Sequence, residues 1–363
     1  MTQKRRAKFP LLLMSPLLFL PLLTTVVLGT TIVLISSNWF VIWLGLEINT
    51  LAFLPLLITT HHPRATEATT KYFLIQALAS ALLLFAGLTQ AYCVNSWSVH
   101  APMTTLSATI ILFAVSLKMA VAPCHGWLPD VLQALPYWTG LILSTWQKVA
   151  PFYIITTLPP QMAWAFLTLG ILSAVIGGWG GLNQTQVRKL LAFSSIAHLG
   201  WIIVVLPFSP QLSTLNLVLY FIITSTLFLT LNILNTPNLA DFTNAINIAP
   251  WLTTLTLLTI LSLGGLPPLT GFLGKWLILQ ELASNTAILI TAGMILGSLL
   301  SLFFYLRVTY IITLTISPQH STTILSWRAS RLNLSQNSLS VSALLTLSVL
   351  GLSFVPTWLP LFF

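Results

Sequence analysis

Apolar residues run along this chain in stretches of about 20, the length that carries an α-helix across a bilayer. Polar punctuation separates eleven such runs, near residues 10–36, 38–58, 68–93, 105–133, 137–157, 162–182, 187–206, 211–235, 251–282, 286–316 and 338–360. Many are rich in Leu, Ile and Thr, and a Thr hydroxyl can return a hydrogen bond to its own helix backbone. The pattern predicts an all-α membrane protein with about 11 transmembrane helices.

Composition removes the alternatives. Of 363 residues, 14 are Lys or Arg and 5 are Asp or Glu, so 5% are charged, against about a quarter in a soluble domain. Hydrophobic residues make up 56% and the mean hydropathy is +0.93. A soluble surface cannot be built from this inventory, and intrinsic disorder needs the opposite balance. The net charge of +9 lies in single residues and short clusters beside apolar runs, without the aromatic-interleaved basic face that reads nucleic acid.

In a membrane protein an excess of basic residues reports orientation. With eleven spans and the N-terminus inside, the inside loops hold Lys4, Arg5, Arg6, Lys8, Arg64, Arg188, Lys189, Arg328 and Arg331. The outside loops hold no Lys or Arg, only His100. One helix more or fewer would scatter these charges over both sides. Residues 1–13, MTQKRRAKFPLLL, resemble a signal-peptide n-region, but no small-residue cleavage site follows. They are read as a basic N-terminal tail anchoring the first helix, with Met14 an alternative start.

Two runs look broken. The fourth carries Lys118-Met-Ala-Val-Ala-Pro123, and the ninth carries Gly264-Gly-Leu-Pro267-Pro268 followed by Lys275. Proline removes a backbone donor and clashes with the preceding turn. Helices one to five and six to ten then form two five-helix sets of opposite orientation, about 14–157 and 162–316, each broken in its fourth member. That is the pattern of two inverted repeats, which place ion sites at broken helices. Residues 317–363 follow as a loop and last transmembrane helix. A proline that merely kinks a packed helix is the plainer alternative for either break taken alone.

Four charges fall inside the runs: Glu47 in the second, Lys118 and Lys275 beside the breaks, and Lys148 in the fifth. A charge at the bilayer centre costs about 2.5–3.5 kcal/mol even on the lenient insertion scale, so these must be paired or wetted. An ion pair accounts for Glu47 with one lysine, not for three lysines against one carboxylate. Such a row holds protons whose affinity depends on which neighbours are charged, the requirement for a proton relay. His198 in mid-helix and His125 after Pro123 are possible further stations, or histidines hydrogen-bonded in a helix interface. Glu67 and Lys71, four apart, suit a local pair. Arg307, near the inner end of the tenth run, is expected to snorkel to the interface.

Redox groups have no visible home. Cys93 and Cys124 cannot form an iron–sulfur or zinc cluster and read as buried apolar thiols. There is no GxGxxG after a strand and no P-loop, and haem would want facing His pairs. No cofactor and no metal is expected on this chain.

Several segments are similar to one family: WGGLNQTQVRKLLAFSSIAHLGW (179–201), SNWFVIWLGLEINTLAFLPLL (37–57), PRATEATTKYFL (63–74), LSTWQKVAP (143–151) and LSLGGLPPLTGFLGKW (261–276). Over roughly residues 14–316 the chain resembles NADH dehydrogenase subunit 2, the mitochondrially encoded, antiporter-like membrane subunit family of respiratory complex I. Departures are modest: Cys124 and Gly126 flank His125 where the family has aromatic residues, and Asp130 stands where it usually has Glu. Residues 1–13 have no counterpart in the usual form of the family.

The resemblance implies that Glu47 and Lys118 form a Glu–Lys pair modulating the next lysine. Lys148 would be the central relay lysine, Lys275 the terminal station and His198 a linking residue. It implies complex I partners, including neighbouring antiporter-like subunits, and contact with membrane lipids. It also implies the mitochondrial inner membrane, with the N-terminus on the matrix side and the C-terminus in the intermembrane space. The complex uses NADH, FMN, iron–sulfur clusters and ubiquinone, so the electron-transfer chemistry would lie elsewhere in the assembly. The alternatives are a stand-alone cation/proton antiporter, which asks for several membrane carboxylates where Glu47 stands alone, and a structural membrane subunit that does not pump.

Overall fold

The computed structural model describes residues 16–242, 245, 249–314 and 338–351. The basic tail 1–13, the loop charges Arg328 and Arg331, and the end of the last predicted span lie outside the described residues. The described elements are helices joined by short connections. They are α1 (Pro16–Ile35), α2 (Trp39–Leu57), α3 (Pro63–Val94), α4 (Thr105–Met119), α5 (Trp127–Ala134), α6 (Tyr137–Ser144) and α7 (Val149–Thr156). There follow α8 (Ala163–Gly181), α9 (Val187–Val205), α10 (Pro210–Leu234), α11 (Pro250–Gly264), α12 (Thr270–Ser284), α13 (Ile288–Leu314) and α14 (Ser338–Leu350). Among the described residues there is no β-strand, only two isolated bridges.

Helices dominate because hydrocarbon offers no partner for a free N–H or C=O, so each segment must satisfy its own backbone. Hydroxyl side chains in these apolar stretches do the same. Along α11, Thr256 donates to the Thr253 carbonyl at 2.7 Å, Thr259 to Thr256 at 2.8 Å and Ser262 to Thr259 at 2.7 Å. Among the described residues seven helices are long and apolar enough to cross a membrane: α1, α2, α3, α8 with the turn before it, α9, α10 and α13. The shorter apolar helices α4 and α11 have 15 residues each, about 22 Å at 1.5 Å per residue and short of the ~30 Å hydrocarbon core.

Both stop where the sequence places its breaks. After α4 the chain turns through Ala120, at φ 60°, and re-enters helix at Trp127. After α11 it turns through Gly265, at φ 81°, and resumes at Thr270 beyond Pro267 and Pro268. A third interruption was not predicted. The fifth run, read as one helix over 137–157, is split into α6 and α7 by a 3-10 turn at Trp146–Lys148. Pro151 is its physical cause: with no N–H, it cannot bond the Gln147 carbonyl four residues back.

The chain divides into two compact units, one containing α1–α7 and one containing α8–α14, with Val121–Pro123 grouped with the second. In the first unit α1 packs on α2, α2 on α3, α3 on α4 and α5, and α4 on α7. In the second, α8 packs on α9 and α13, while α10 meets α9, α11, α12 and α14. A core of Leu167, Trp201, Val204, Leu212, Ile278, Leu282 and Met294 ties α8, α9, α10, α12 and α13 together. In such a setting close van der Waals packing supplies the association.

Each unit carries the same local devices at matching places. In the first, the α1–α2 and α3–α4 connections are tied by an Asn38–Ser98 bridge, with Trp39 N–H donating to Trp97 O at 3.0 Å and Val99 N–H to Ser37 O at 2.8 Å. In the second, the α8–α9 and α10–α11 connections are tied by Gln186–Asn238, with Val187 N–H donating to Pro237 O and Leu239 N–H to Thr185 O, both at 3.2 Å. The third helix of each ends on a left-handed asparagine, Asn95 at φ 54° and Asn235 at φ 55°.

Candidate functional site

The first unit holds a small, partly open cavity, and two of the sequence-predicted lysines line it. Lys118 reaches it from the last turn of α4 and Lys148 from the 3-10 turn between α6 and α7. Both side chains are withdrawn from the surface, with relative exposures of 6% and 3%. Lys118 Nζ is buried without a hydrogen-bond partner. Its position at the carbonyl end of α4 sets a cation against the negative pole of that half-helix.

Glu47 sits half-buried on α2, one turn from the lining residue Thr50, whose Oγ1 donates to Glu47 O at 3.0 Å and to its Oε2 at 3.3 Å. Its charge acts on Lys118, through space and without a hydrogen bond between them. His125 lies in the connection between α4 and α5, half-buried, and is not one of the cavity-lining residues.

Sequence reasoning missed the uncharged polar wall of this cavity. Asn49, Thr50 and Gln76 face it from α2 and α3, and Gln147 from the turn beside Lys148. Gln147 Nε2 donates to Asn49 Oδ1 at 3.0 Å, a fully buried bond. The signal was available: amides are rare inside apolar runs, and a buried amide needs a partner. The break itself is closed by Trp127, whose indole N–H donates to the Leu117 carbonyl at 3.1 Å.

In the second unit Lys275 lies on α12, six residues into the half-helix that follows the break. Its Nζ donates to Gly264 O at 2.8 Å and Leu263 O at 3.4 Å, and it stands 6.0 Å from the Trp201 ring centroid. Two glycines make room for this turn. Gly265 holds its positive φ, and a Cβ there would stand 2.9 Å from Lys275 Cδ; a Cβ on Gly271 would overlap the Ser262 carbonyl oxygen. His198 lies one turn before Trp201 on α9, its ring 5.5 Å from that of Tyr220 on α10. Lys118 and Lys148 thus share one chamber, while Lys275 and His198 belong to the second unit's own polar elements.

Several other charges have structural partners. Lys71 bridges Glu67 at 2.8 Å, as its spacing predicts, and also Asp130 on α5 at 3.2 Å. Arg307 donates to the Leu182 carbonyl just beyond the end of α8. Cys93 is exposed and Cys124 half-buried, both free, which corrects the expectation of two buried thiols. Among the described residues no three His, Cys, Asp or Glu side chains gather as a metal site would require.

Lysines at interrupted helices place this chain in the class of membrane proteins that bind ions at broken helices. The profile described as NADH:quinone oxidoreductase/Mrp antiporter, TM, matches residues 36–303, and one for the NADH dehydrogenase subunit 2 C-terminus matches 302–359. NADH-ubiquinone oxidoreductase chain 2 of Squalus acanthias is 50% identical over 345 residues, 95% of this chain and 98% of that one. Its counterpart in Xenopus laevis is 52% identical over 316 residues, 87% and 92% of the two chains. The chain belongs to the NADH-ubiquinone oxidoreductase chain 2 family. Among solved structures, respiratory complex I from Thermus thermophilus with bound Aureothin matches with TM-score 0.76 and 28% identity, over 94% of this chain and 78% of that one. The archaeal membrane-bound sulfane sulfur reductase matches in fold, with TM-score 0.82 and 17% identity over 95% and 74%.

Proposed function

We propose that this chain is a core membrane subunit of NADH:ubiquinone oxidoreductase that moves protons through its lysine row, while electrons pass from NADH to ubiquinone elsewhere in the complex. The observation that carries this reading is the chamber holding Lys118 and Lys148, both buried and lined with amide groups, in a chain of this family. Buried ionisable groups in a membrane mark ion or proton pathways. Glu47 sets the field at Lys118, Lys118 exchanges protons with Lys148, and Lys275 is the terminal station beside the second break. His198 and His125 serve as auxiliary stations. Redox cofactors belong to other subunits, and the neighbours of this chain are other membrane subunits of the complex and lipid.

The layout proposed is eleven spans: two inverted five-helix repeats, about 14–157 and 162–316, and a last helix. In this count α4 with α5, α6 with α7, and α11 with α12 each make one interrupted span. The matching loop bridges, asparagine caps and left-handed break residues of the two units support the repeat. The basic residues of the inside loops support an N-terminus on the matrix side of the mitochondrial inner membrane.

The test is Lys148→Ala and Lys148→Arg in the assembled complex. Both should lose proton translocation coupled to quinone reduction, because alanine carries no proton and guanidinium does not release one. Normal translocation in both variants would remove Lys148 from the path.

A further inference from the structure

The 3-10 turn that carries Lys148 lacks a bond that a continuous helix would have. Pro151 has no N–H for the Gln147 carbonyl, and Thr145 departs from helical geometry at φ −113°, ψ −73°. The turn keeps Thr145 N–H to Leu141 O at 3.0 Å, Lys148 N–H to Thr145 O at 3.2 Å and Val149 N–H to Trp146 O. A turn with a missing rung can rotate at low cost, and rotation would carry the Lys148 side chain away from the chamber. The Gln147 side chain donates to Asn49 at 3.0 Å, buried on both sides and joining segments 98 residues apart. Asn49 is 2% exposed and lies two residues after Glu47 on the same helix.

We infer that the Asn49–Gln147 hydrogen bond is a positioning device for proton transfer: it fixes the broken turn to the carboxylate-bearing helix and so holds Lys148 facing Lys118. Neither amide takes up a proton. Their work is geometric, because transfer from a lysine ammonium to a neutral lysine amine through intervening polar atoms fails when one of them swings by an ångström or two. The bond also gives α2 a mechanical hold on the turn, so that a displacement of Glu47 and of Lys148 would be shared. This inference rests on the proposed role of Lys148.

The experiment uses the assembled complex and four variants. Gln147→Met and Asn49→Leu each keep side-chain volume and remove the bond, and the exchange Asn49→Gln with Gln147→Asn restores an amide pair of the same combined length. Each single variant should lower quinone-linked turnover about fivefold, the effect of losing a bond worth roughly 1 kcal/mol, with KM for quinone unchanged. The Gln147→Met, Asn49→Leu double variant should lose no more than either single one, because both remove the same bond. The exchange should recover most of the activity. Wild-type turnover in both single variants, additive losses in the double, or no recovery in the exchange would each overturn the inference. A complex that assembles poorly with the single variants but normally with the exchange would still show the pair acting as one. If Lys148→Ala itself translocates protons normally, the reading of the site fails; if it does not while Gln147→Met is normal, only this inference fails.

Discussion

Lys275 Nζ donates to the Gly264 carbonyl at 2.8 Å, across the break between α11 and α12. The last four carbonyls of any helix lack intrahelical partners, and in a membrane those partners must come from the protein. Here the half-helix after the break reaches back with a lysine to close the half-helix before it. In the first unit the same task falls to the neutral Trp127 indole, which donates to Leu117 O at 3.1 Å, leaving Lys118 Nζ without a hydrogen bond.

That geometry gives opposite expectations for the two roles of Lys275. If it only caps carbonyls, arginine would serve, since it keeps the charge and adds donors. If it takes and releases a proton, Lys275→Arg should fail in coupled turnover as Lys275→Ala does. Turnover and proton translocation of the two variants in the assembled complex measure the difference. Full activity in Lys275→Arg would leave it as a cap alone.

Gly265 is predicted to tolerate side chains poorly, for two separable reasons. Its φ of 81° costs an L-residue about 1–2 kcal/mol, and a Cβ would stand 3.1 Å from Lys275 Nζ. Gly265→Ala should therefore reduce both the yield of assembled complex and its turnover. Gly265→Asn should recover some of the yield, because asparagine visits the left-handed region more readily, while turnover stays low. Equal, wild-type turnover in both would mean that the lysine does not depend on this turn.

How much of this was legible in the sequence varies by element. The breaks after Met119 and Gly264 were visible because prolines stood beside lysines inside otherwise unbroken apolar runs. The break at Thr145 was not, although its cause, Pro151, is equally plain in the sequence. A proline inside a helix can kink it without ending it, and a continuous run of the right length gave no reason to divide 137–157. Counting formal charge found Glu47, Lys118, Lys148 and Lys275 but passed over Asn49, Gln76 and Gln147. Amides carry no charge to place, and only the packing of α2 against the turn at Lys148 makes them neighbours.

Glu47→Gln should lower quinone-linked turnover and proton translocation without preventing assembly. The carboxylate makes its hydrogen bond with Thr50, which an amide oxygen can also accept, so local structure is preserved while the negative charge acting on Lys118 is lost. A loss of about tenfold corresponds to about 1.4 kcal/mol of altered transfer barrier. Unchanged rates and proton yield would count against any modulating role for Glu47.

The N-terminus should be labelled from the matrix side and the C-terminus from the opposite side. The expectation rests on the basic residues Arg64, Arg188 and Lys189 lying at connections on one predicted side. Tagged termini probed by protease protection or cysteine labelling in intact and inverted membranes supply the measurement. Both ends accessible from one side would break the eleven-span count.

The loop ties at Asn38–Ser98 and Gln186–Asn238 bear on how such mapping can be done. By length and polarity these four connections look like convenient hosts for an epitope or a fluorophore. Yet each tie is a pair of backbone hydrogen bonds between loops far apart in the chain, and α2 and α9 begin immediately beyond them at Trp39 and Val187. An insertion there would unlatch two loops and unseat a helix start together. Reporter sites belong instead in the connection between α7 and α8, where residues 157–162 carry only local turn bonds such as Met162 N–H to Pro159 O.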